Sequence, residues 1–215
     1  MIRLVVLDLD GTIYDYDYCN EIAEKHLYSH MIEVFRISEV AAKNIYKEAK
    51  AVTKNQLGNV ASAHNRLIYM QNVCEIIGVS PVEYAVELYH VYWDMFLDNM
   101  RINDNIVYLL EDLKKRDIKI AILTDLTAYI QYRKIKKLNI GNYIDYIVTS
   151  EEVGEEKPSS KMYEKALSKC GCSASEAIMI GDDYVRDVEG ARKYGCNAVL
   201  YHKENDLVNE IRSLF

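Results

Sequence analysis

The chain has no run of basic residues long enough to follow a phosphate backbone. Its 26 Lys and Arg are outnumbered by 33 Asp and Glu, for a net charge of −7 over 215 residues. Nucleic acid is therefore not an expected partner. Charged residues also interrupt the sequence too often to leave the roughly 18 consecutive apolar residues of a membrane span, and the apolar start at Leu4 is too short for a secretory signal. The expectation is a soluble, cytoplasmic protein with no membrane partner. The five cysteines, Cys19, Cys74, Cys170, Cys172 and Cys196, are odd in number and scattered, and form no CxxC pair matched by a second one. That pattern indicates neither a disulfide framework nor a structural zinc site, and Cys170-Gly171-Cys172 reads as a loop with two incidental thiols. His26 and His30, four apart, make half a zinc pattern that nothing nearby completes. The sequence has no internal repeat and no low-complexity tract.

Against these absences, one stretch stands out. Asp8-Leu9-Asp10-Gly11-Thr12 lies directly behind the apolar run Leu4-Val5-Val6-Leu7. Four apolar residues ended by a turn with glycine read as a buried parallel strand. Asp8 and Asp10 then sit at its carboxyl end. Side chains at i and i+2 of an extended chain point the same way, so both carboxylates can face one reacting group, subject to the turn that begins at Asp10. A D-x-D-G-T string arises by chance in roughly one chain of this length in a few hundred, so by itself it is suggestive only.

From Tyr18 to about Met100 the pattern is helical throughout, as expected of one inserted domain. Leu27, Met31, Val34 and Phe35 mark one apolar face, Ala41, Ile45, Ala49 and Val52 a second, and Leu67, Met70, Val73, Cys74 and Ile77 a third that ends near Gly78. Ser80-Pro81 opens a fourth helix as N-cap and first-turn proline, with Glu83 placed for a capping box. From Asn103 onward helices and strands alternate: a helix through Leu109, Leu110 and Leu113, a strand at 118–123, a helix at 127–138, a strand at 146–149, a helix after Pro158, a strand at 177–180, a helix at 185–194 and a strand at 198–201. Such alternation implies a parallel sheet with right-handed crossovers, whose ligands bind beyond the carboxyl ends of the strands.

Those strand ends carry chemistry. The first delivers Asp8 and Asp10, the second Thr124-Asp125, and the fourth Gly181-Asp182-Asp183. The loop beyond the third carries Lys157, just before a helix. In this order the chain resembles the haloacid dehalogenase-like hydrolase superfamily, in the branch with a helical cap inserted after the first motif. The pentapeptide 8–12 matches the first family motif, Thr124 the second, Lys157 the third, and Gly181-Asp182 with Asp187 and Gly190-Ala191 the fourth. The resemblance spans nearly the whole chain and is strong in combination, although each motif after the first is weak alone. It implies an α/β fold with a Rossmann-like parallel sheet core, residues 1–16 and 101–215, and an all-α cap, residues 17–100.

The resemblance also implies a phosphatase acting on a small phosphorylated metabolite. A phosphate dianion is repelled by several carboxylates, since two unit charges about 4 Å apart interact by roughly 4 kcal/mol at an effective dielectric near 20. A divalent cation is needed, and hard oxygen ligands suit Mg²⁺. By resemblance its ligands are the Asp8 carboxylate, the Asp10 main-chain carbonyl and the Asp182 carboxylate, with Asp183 able to substitute. Asp187 is expected just outside them, holding a metal water or Lys157. Asp8 is the expected nucleophile, forming an aspartyl phosphate, and Asp10 the general acid and base. Thr124, Asp125 and Lys157 are the expected phosphate-binding residues. Thr12 reads as orienting Asp10 or capping the turn.

Substrate contacts from the cap are open. Tyr14, in the tyrosine run at 14, 16 and 18, suits substrate contact and linker packing equally. His64-Asn65-Arg66 is read as lying on a cap helix, where Arg66 could pair with an anionic group of the substrate; a plain surface face explains it as well. Three other functions share parts of the pattern. A haloacid dehalogenase shares the fold and nucleophile but needs no acid two residues later, so Asp10 argues against it. A sugar phosphomutase keeps every motif. A receiver-type phosphoacceptor domain uses Asp, Thr and Lys, but with an acidic pair first and no helical insert. Monomer and homodimer are both compatible with the sequence.

Overall fold

The computed structural model describes residues 1–204, 206–212 and 214. The chain divides into two compact units, Met1–Tyr16 with Arg101–Phe215, and Asp17–Met100.

In the first unit β1 (Leu4–Leu7), β2 (Lys119–Thr124), β3 (Tyr146–Thr149), β4 (Ala177–Gly181) and β5 (Asn197–Leu200) form one sheet in the order β3-β2-β1-β4-β5. Every pairing is parallel; Leu7 lies opposite both Ile122 and Ile180. Both sheet faces are covered, which is why the strands read as unbroken apolar runs rather than alternating ones. On one face Leu4, Val6, Ala121, Leu123 and Met179 pack with Met162, Tyr163, Ala166 and Leu167 of α8 (Ser160–Cys170) and with Ala191 of α9 (Gly190–Tyr194). Helix α5 (Asp104–Lys115) packs on β2, burying Ile106, Leu109, Leu110 and Leu113, and α10 (Leu207–Arg212) packs on α5. The remaining helices of this unit are α6 (Ala128–Lys137) and the one-turn α7 (Ser150–Val153).

The segment expected as one helix over 185–194 instead begins with a wide π-helical turn, Tyr184–Glu189, before α9. Asp183 caps its start, its side chain accepting from the backbone N–H of Val185 and of Arg186, both at 2.9 Å. Chain order reverses direction across the sheet at β1, with β2 and β3 to one side and β4 and β5 to the other. That central position is the topological switch point, where open parallel sheets bind ligands.

The second unit holds α1 (Tyr16–Phe35), whose first residue belongs to the first unit, with α2 (Glu39–Leu57), α3 (Arg66–Ile77) and α4 (Pro81–Asp98). Its core is rich in tyrosine, which displaces two of the expected faces. Helix α2 buries Ala42, Tyr46, Ala49 and Thr53, a stripe turned one residue from Ala41-Ile45-Ala49-Val52. Tyr46 sets that rotation, stacking edge-on against Tyr28 and Tyr69 at 5.9 and 6.4 Å. Thr53 follows because it accepts a 2.7 Å hydrogen bond from buried Asn72 and donates to Ala49 O. Leu67 of the expected α3 stripe is exposed, whereas Arg66, Tyr69 and Asn72 are buried.

Ser80 does precede Pro81 at the start of α4, but its side chain makes no cap hydrogen bond, so the expected capping box is not formed. His30 is paired with Glu87 at 2.8 Å rather than with His26. No helix among the described residues is long and apolar enough to cross a membrane.

Candidate active site

The backbone N–H of Asp8 donates to Ile180 O at 2.9 Å, carrying the β1–β4 ladder one residue past the strand. Asp8 is thereby held between the ends of β2 and β4. The loop that follows is clasped from behind by Asn103, whose side chain donates to Thr12 O and whose N–H donates to Ile13 O, both at 2.9 Å. Gly11 has φ +94°, a left-handed conformation that suits glycine, and a Cβ there would collide with the Asp182 carboxylate. Gly181 is required for a parallel reason, since a Cβ on it would strike Asp187.

Four charged side chains meet at this rim. Carboxylate oxygens of Asp8, Asp182 and Asp187 all lie within 4.8 Å of one another. Buried Lys157 donates through Nζ to Asp8 Oδ1 and, at 2.7 Å, to Asp187 Oδ1. Burial, together with the Asp187 and Asp10 charges, holds the Asp8 carboxyl well above the usual carboxylate range despite the attraction of Lys157. Burial alone would depress Lys157, but Asp187, Asp8 and Asp125 outweigh it and hold the ammonium well above its ordinary value. Burial and Asp187 also raise Asp182, opposed by its hydrogen bond with Thr12.

The carboxylates thus present more negative charge than one ammonium balances. A close set of hard oxygens carrying surplus anionic charge fits a divalent cation such as Mg²⁺. Asp187 is the least available of the three, because Oδ1 accepts from Lys157 and Oδ2 accepts from Asp183 N at 3.1 Å. Asp183, the possible substitute, spends its carboxylate on capping the π-helical turn.

Several expected positions differ. Thr12 does not orient Asp10; its hydroxyl lies 3.0 Å from Asp182 Oδ1 and 3.4 Å from Asp8 Oδ2 and accepts from Asp182 N at 3.1 Å, so it ties the first motif to the fourth. The Asp125 carboxylate is committed to the protein, which leaves its backbone N–H as the group expected to meet phosphate. The carboxylate accepts from Lys157 N at 3.0 Å and from Arg186 Nη1 at 3.1 Å, clasping three loops together, and as an anion it would repel a phosphoryl group. Leu126 beside it takes φ +84°, an uncommon conformation for a non-glycine residue.

Tyr14 is fully buried, its hydroxyl bonded to Asp10 within the first unit, so it packs behind the site rather than contacting substrate from the cap. His64 and Arg66 belong to the helical unit. His64 ends a 3₁₀ turn, Ala61–His64, Asn65 caps α3 by accepting from Leu67 N at 2.9 Å, and Arg66 is the first residue of α3. Arg66 is not on a surface face: it is buried, donates to His64 O at 2.9 Å, and its guanidinium carbon lies 5.3–5.6 Å from the ring centres of Tyr69, Tyr92 and Trp93. Cation–π attraction to the three rings favours this buried position.

Two residues of α6 escaped the sequence reading. Lys134 is completely buried, with Nζ 2.7 and 2.9 Å from the two carboxylate oxygens of Asp10. Gln131, also completely buried, places Nε2 2.6 Å from Thr124 Oγ1, 2.7 Å from Asp125 O and 3.1 Å from Asp10 Oδ2. Burial raises the Asp10 carboxyl, but Lys134, Tyr14 and Gln131 prevail and hold it below the usual range. A signal was present: Ile130 and Ile135 mark the buried face of α6, and helical spacing puts Gln131 and Lys134 on that same face.

A family model described as haloacid dehalogenase-like hydrolase matches residues 5–201. The chain is 33% identical over 203 residues to a ribulose-1,5-bisphosphate 5-phosphatase of Halopiger xanaduensis, covering 94% of this chain and 85% of that one. It is 24% identical over 205 residues to a glyceraldehyde 3-phosphate phosphatase of Methanothermobacter thermautotrophicus, covering 95% and 87%. Among solved structures, a 2-haloacid dehalogenase from Pseudomonas syringae pv. Tomato DC3000 superimposes with a TM-score of 0.75 at 22% identity, over 94% of this chain and 86% of that one, a likeness of fold.

Proposed function

This chain belongs to the haloacid dehalogenase-like hydrolase family, and we propose that, as a phosphoric monoester hydrolase of that family, it cleaves a small phosphorylated metabolite through an aspartyl phosphate on Asp8. The observation that carries this reading is the convergence of Asp8, Asp182, Asp187 and Lys157 at the switch point of the sheet. Asp8 attacks phosphorus as the ester P–O bond breaks; Asp10, which Lys134, Tyr14 and Gln131 hold as a carboxylate in the free chain, takes up a proton as the negative charge of the phosphate arrives beside it and gives that proton to the departing alkoxide. Asp10, now a carboxylate, then takes a proton from the water that attacks the aspartyl phosphate, releasing phosphate and regenerating Asp8. Lys157 and the Thr124 hydroxyl would bind phosphoryl oxygens where charge is held in the transition state.

Asp8, Asp182 and the Asp10 main-chain carbonyl would hold Mg²⁺, which supplies charge neutralisation between the carboxylates and the phosphate dianion. Asp187 keeps Lys157 aligned. The helical unit takes the role of the family's cap, which reads the leaving group. Both relatives are named for phosphorylated three- or five-carbon sugars, which supports a short sugar phosphate as the substrate class.

The test is a panel of phosphate monoesters with Mg²⁺, including ribulose 1,5-bisphosphate and glyceraldehyde 3-phosphate, with phosphate release measured for the wild type and for Asp8→Asn. Turnover of a sugar phosphate that is lost in folded Asp8→Asn is the expected result. Hydrolysis that survives the substitution would remove Asp8 as nucleophile.

A further inference from the structure

The carboxylate of Asp10 is surrounded more completely than a freely rotating acid would be. A carboxylate offers about four in-plane lone-pair positions. Oδ1 accepts from Lys134 Nζ at 2.7 Å and from the Tyr14 hydroxyl, and Oδ2 accepts from Lys134 Nζ at 2.9 Å and from Gln131 Nε2 at 3.1 Å. The two oxygens are not held equally. Gln131 has two N–H hydrogens for three acceptors, and its contacts with Thr124 Oγ1 and Asp125 O, at 2.6 and 2.7 Å, are the shorter. The Gln131 contact is therefore the weakest of the four, and Oδ2, which keeps Lys134 at 2.9 Å, is the less tightly held oxygen.

We propose that Lys134 is a positioning residue for the acid–base step, anchoring Asp10 through Oδ1 with the help of Tyr14 and leaving Oδ2 as the oxygen that gives the proton to the leaving group and later takes it from water.

The anchor is built from interior groups. Lys134 and Tyr14 are both completely buried, and the ammonium also lies 5.9 and 5.7 Å from the ring centres of Tyr14 and Tyr16. A lysine held at this depth in one place fixes its partner far better than an exposed ion pair does. Gln131 extends the arrangement, because the amide that touches Oδ2 also donates to Thr124 Oγ1. With that lone pair occupied, the Thr124 proton is free to turn from Asp125 O, 3.2 Å away, toward a phosphoryl oxygen. One α6 turn thus registers the proton donor against the phosphate-binding hydroxyl.

The inference rests on the hydrolase reading above, and leaving-group chemistry separates the two. A nitrophenolate departs without a proton, whereas an alkoxide needs one. For Lys134→Met and Tyr14→Phe, kcat/KM is measured with 4-nitrophenyl phosphate and with the best alkyl ester of the panel, since this ratio reports the first chemical step. The expected result is a loss of about 10- to 100-fold on the alkyl ester against a few-fold loss on the aryl ester, within the range general acid catalysis contributes. In an Asp10→Asn background, Lys134→Met should then add nothing further on the alkyl ester. Equal losses on both esters, or full additivity with Asp10→Asn, would overturn the positioning role while leaving Asp8 as nucleophile. Should Lys134→Met not fold, Tyr14→Phe, which deletes one hydroxyl, decides by the same ratio. Activity persisting in Asp8→Asn instead defeats the underlying reading.

Discussion

Gly11 shows how narrowly single residues are specified at this rim. Its φ of +94° and the Asp182 carboxylate against its Cα leave no room for a side chain. Gly11→Ala should cost about 1–2 kcal/mol of stability from the left-handed backbone alone, read as a lower unfolding temperature. It should also abolish phosphate release, because the new methyl displaces Asp182 from Asp8; a variant that stays active would show that Asp182 need not sit there. The acids at 8, 10 and 182 were visible in the sequence because carboxylates at successive strand ends have few structural reasons to coincide. Gln131 and Lys134 were not, since a glutamine and a lysine in a helix are ordinarily solvent residues, and only their place beside Ile130 and Ile135 betrays their burial.

At the scale of elements, strands and helices of the first unit fall close to where periodicity puts them, β3 over residues 146–149 included. What periodicity missed were features made by side chains bonding to backbone: the π-helical turn held by Asp183, and α7, whose N-cap Thr149 accepts from Glu152 N at 3.2 Å. Asp145 is a third such residue. It accepts from Ile120 N and from Lys119 Nζ, each at 3.0 Å, fixing the entry of β3 against β2. Burial raises its carboxyl, but those two donors outweigh it and hold it below the usual range. Asp145→Ala should therefore cost about 1–3 kcal/mol near neutral pH by leaving the Ile120 N–H without its acceptor. Because the folded-state pKa is depressed, the wild-type advantage is complete above the ordinary carboxyl pKa of about 3.9 and disappears as pH falls through the folded value. Denaturant unfolding of both proteins between pH 3 and 7 measures this; a difference unchanged at the acid end would assign the stabilisation to packing alone.

Across the whole molecule, the carboxylate cluster sets folding stability against function. Asp8, Asp182 and Asp187 repel one another, so a cation that binds only the folded chain should raise its stability, by about 2.7 kcal/mol at a hundred times its dissociation constant. Thermal unfolding with and without Mg²⁺ should show a rise for the wild type and little for Asp182→Asn, which should itself unfold no lower than the wild type without metal. A wild-type melting point indifferent to Mg²⁺ would remove the proposed metal site. The alternation of elements, the parallel sheet and the acids at its rim were determined by sequence alone, because hydrophobic period and strand-end placement are local properties of the chain. The seat of Asp10, the clasp made by Asp125, the one-residue rotation of α2 and the enclosure of Arg66 were decided only by tertiary structure. Each depends on which partner, distant in sequence, offers a buried charge, ring or carbonyl at hydrogen-bonding distance, and no local pattern encodes that distance.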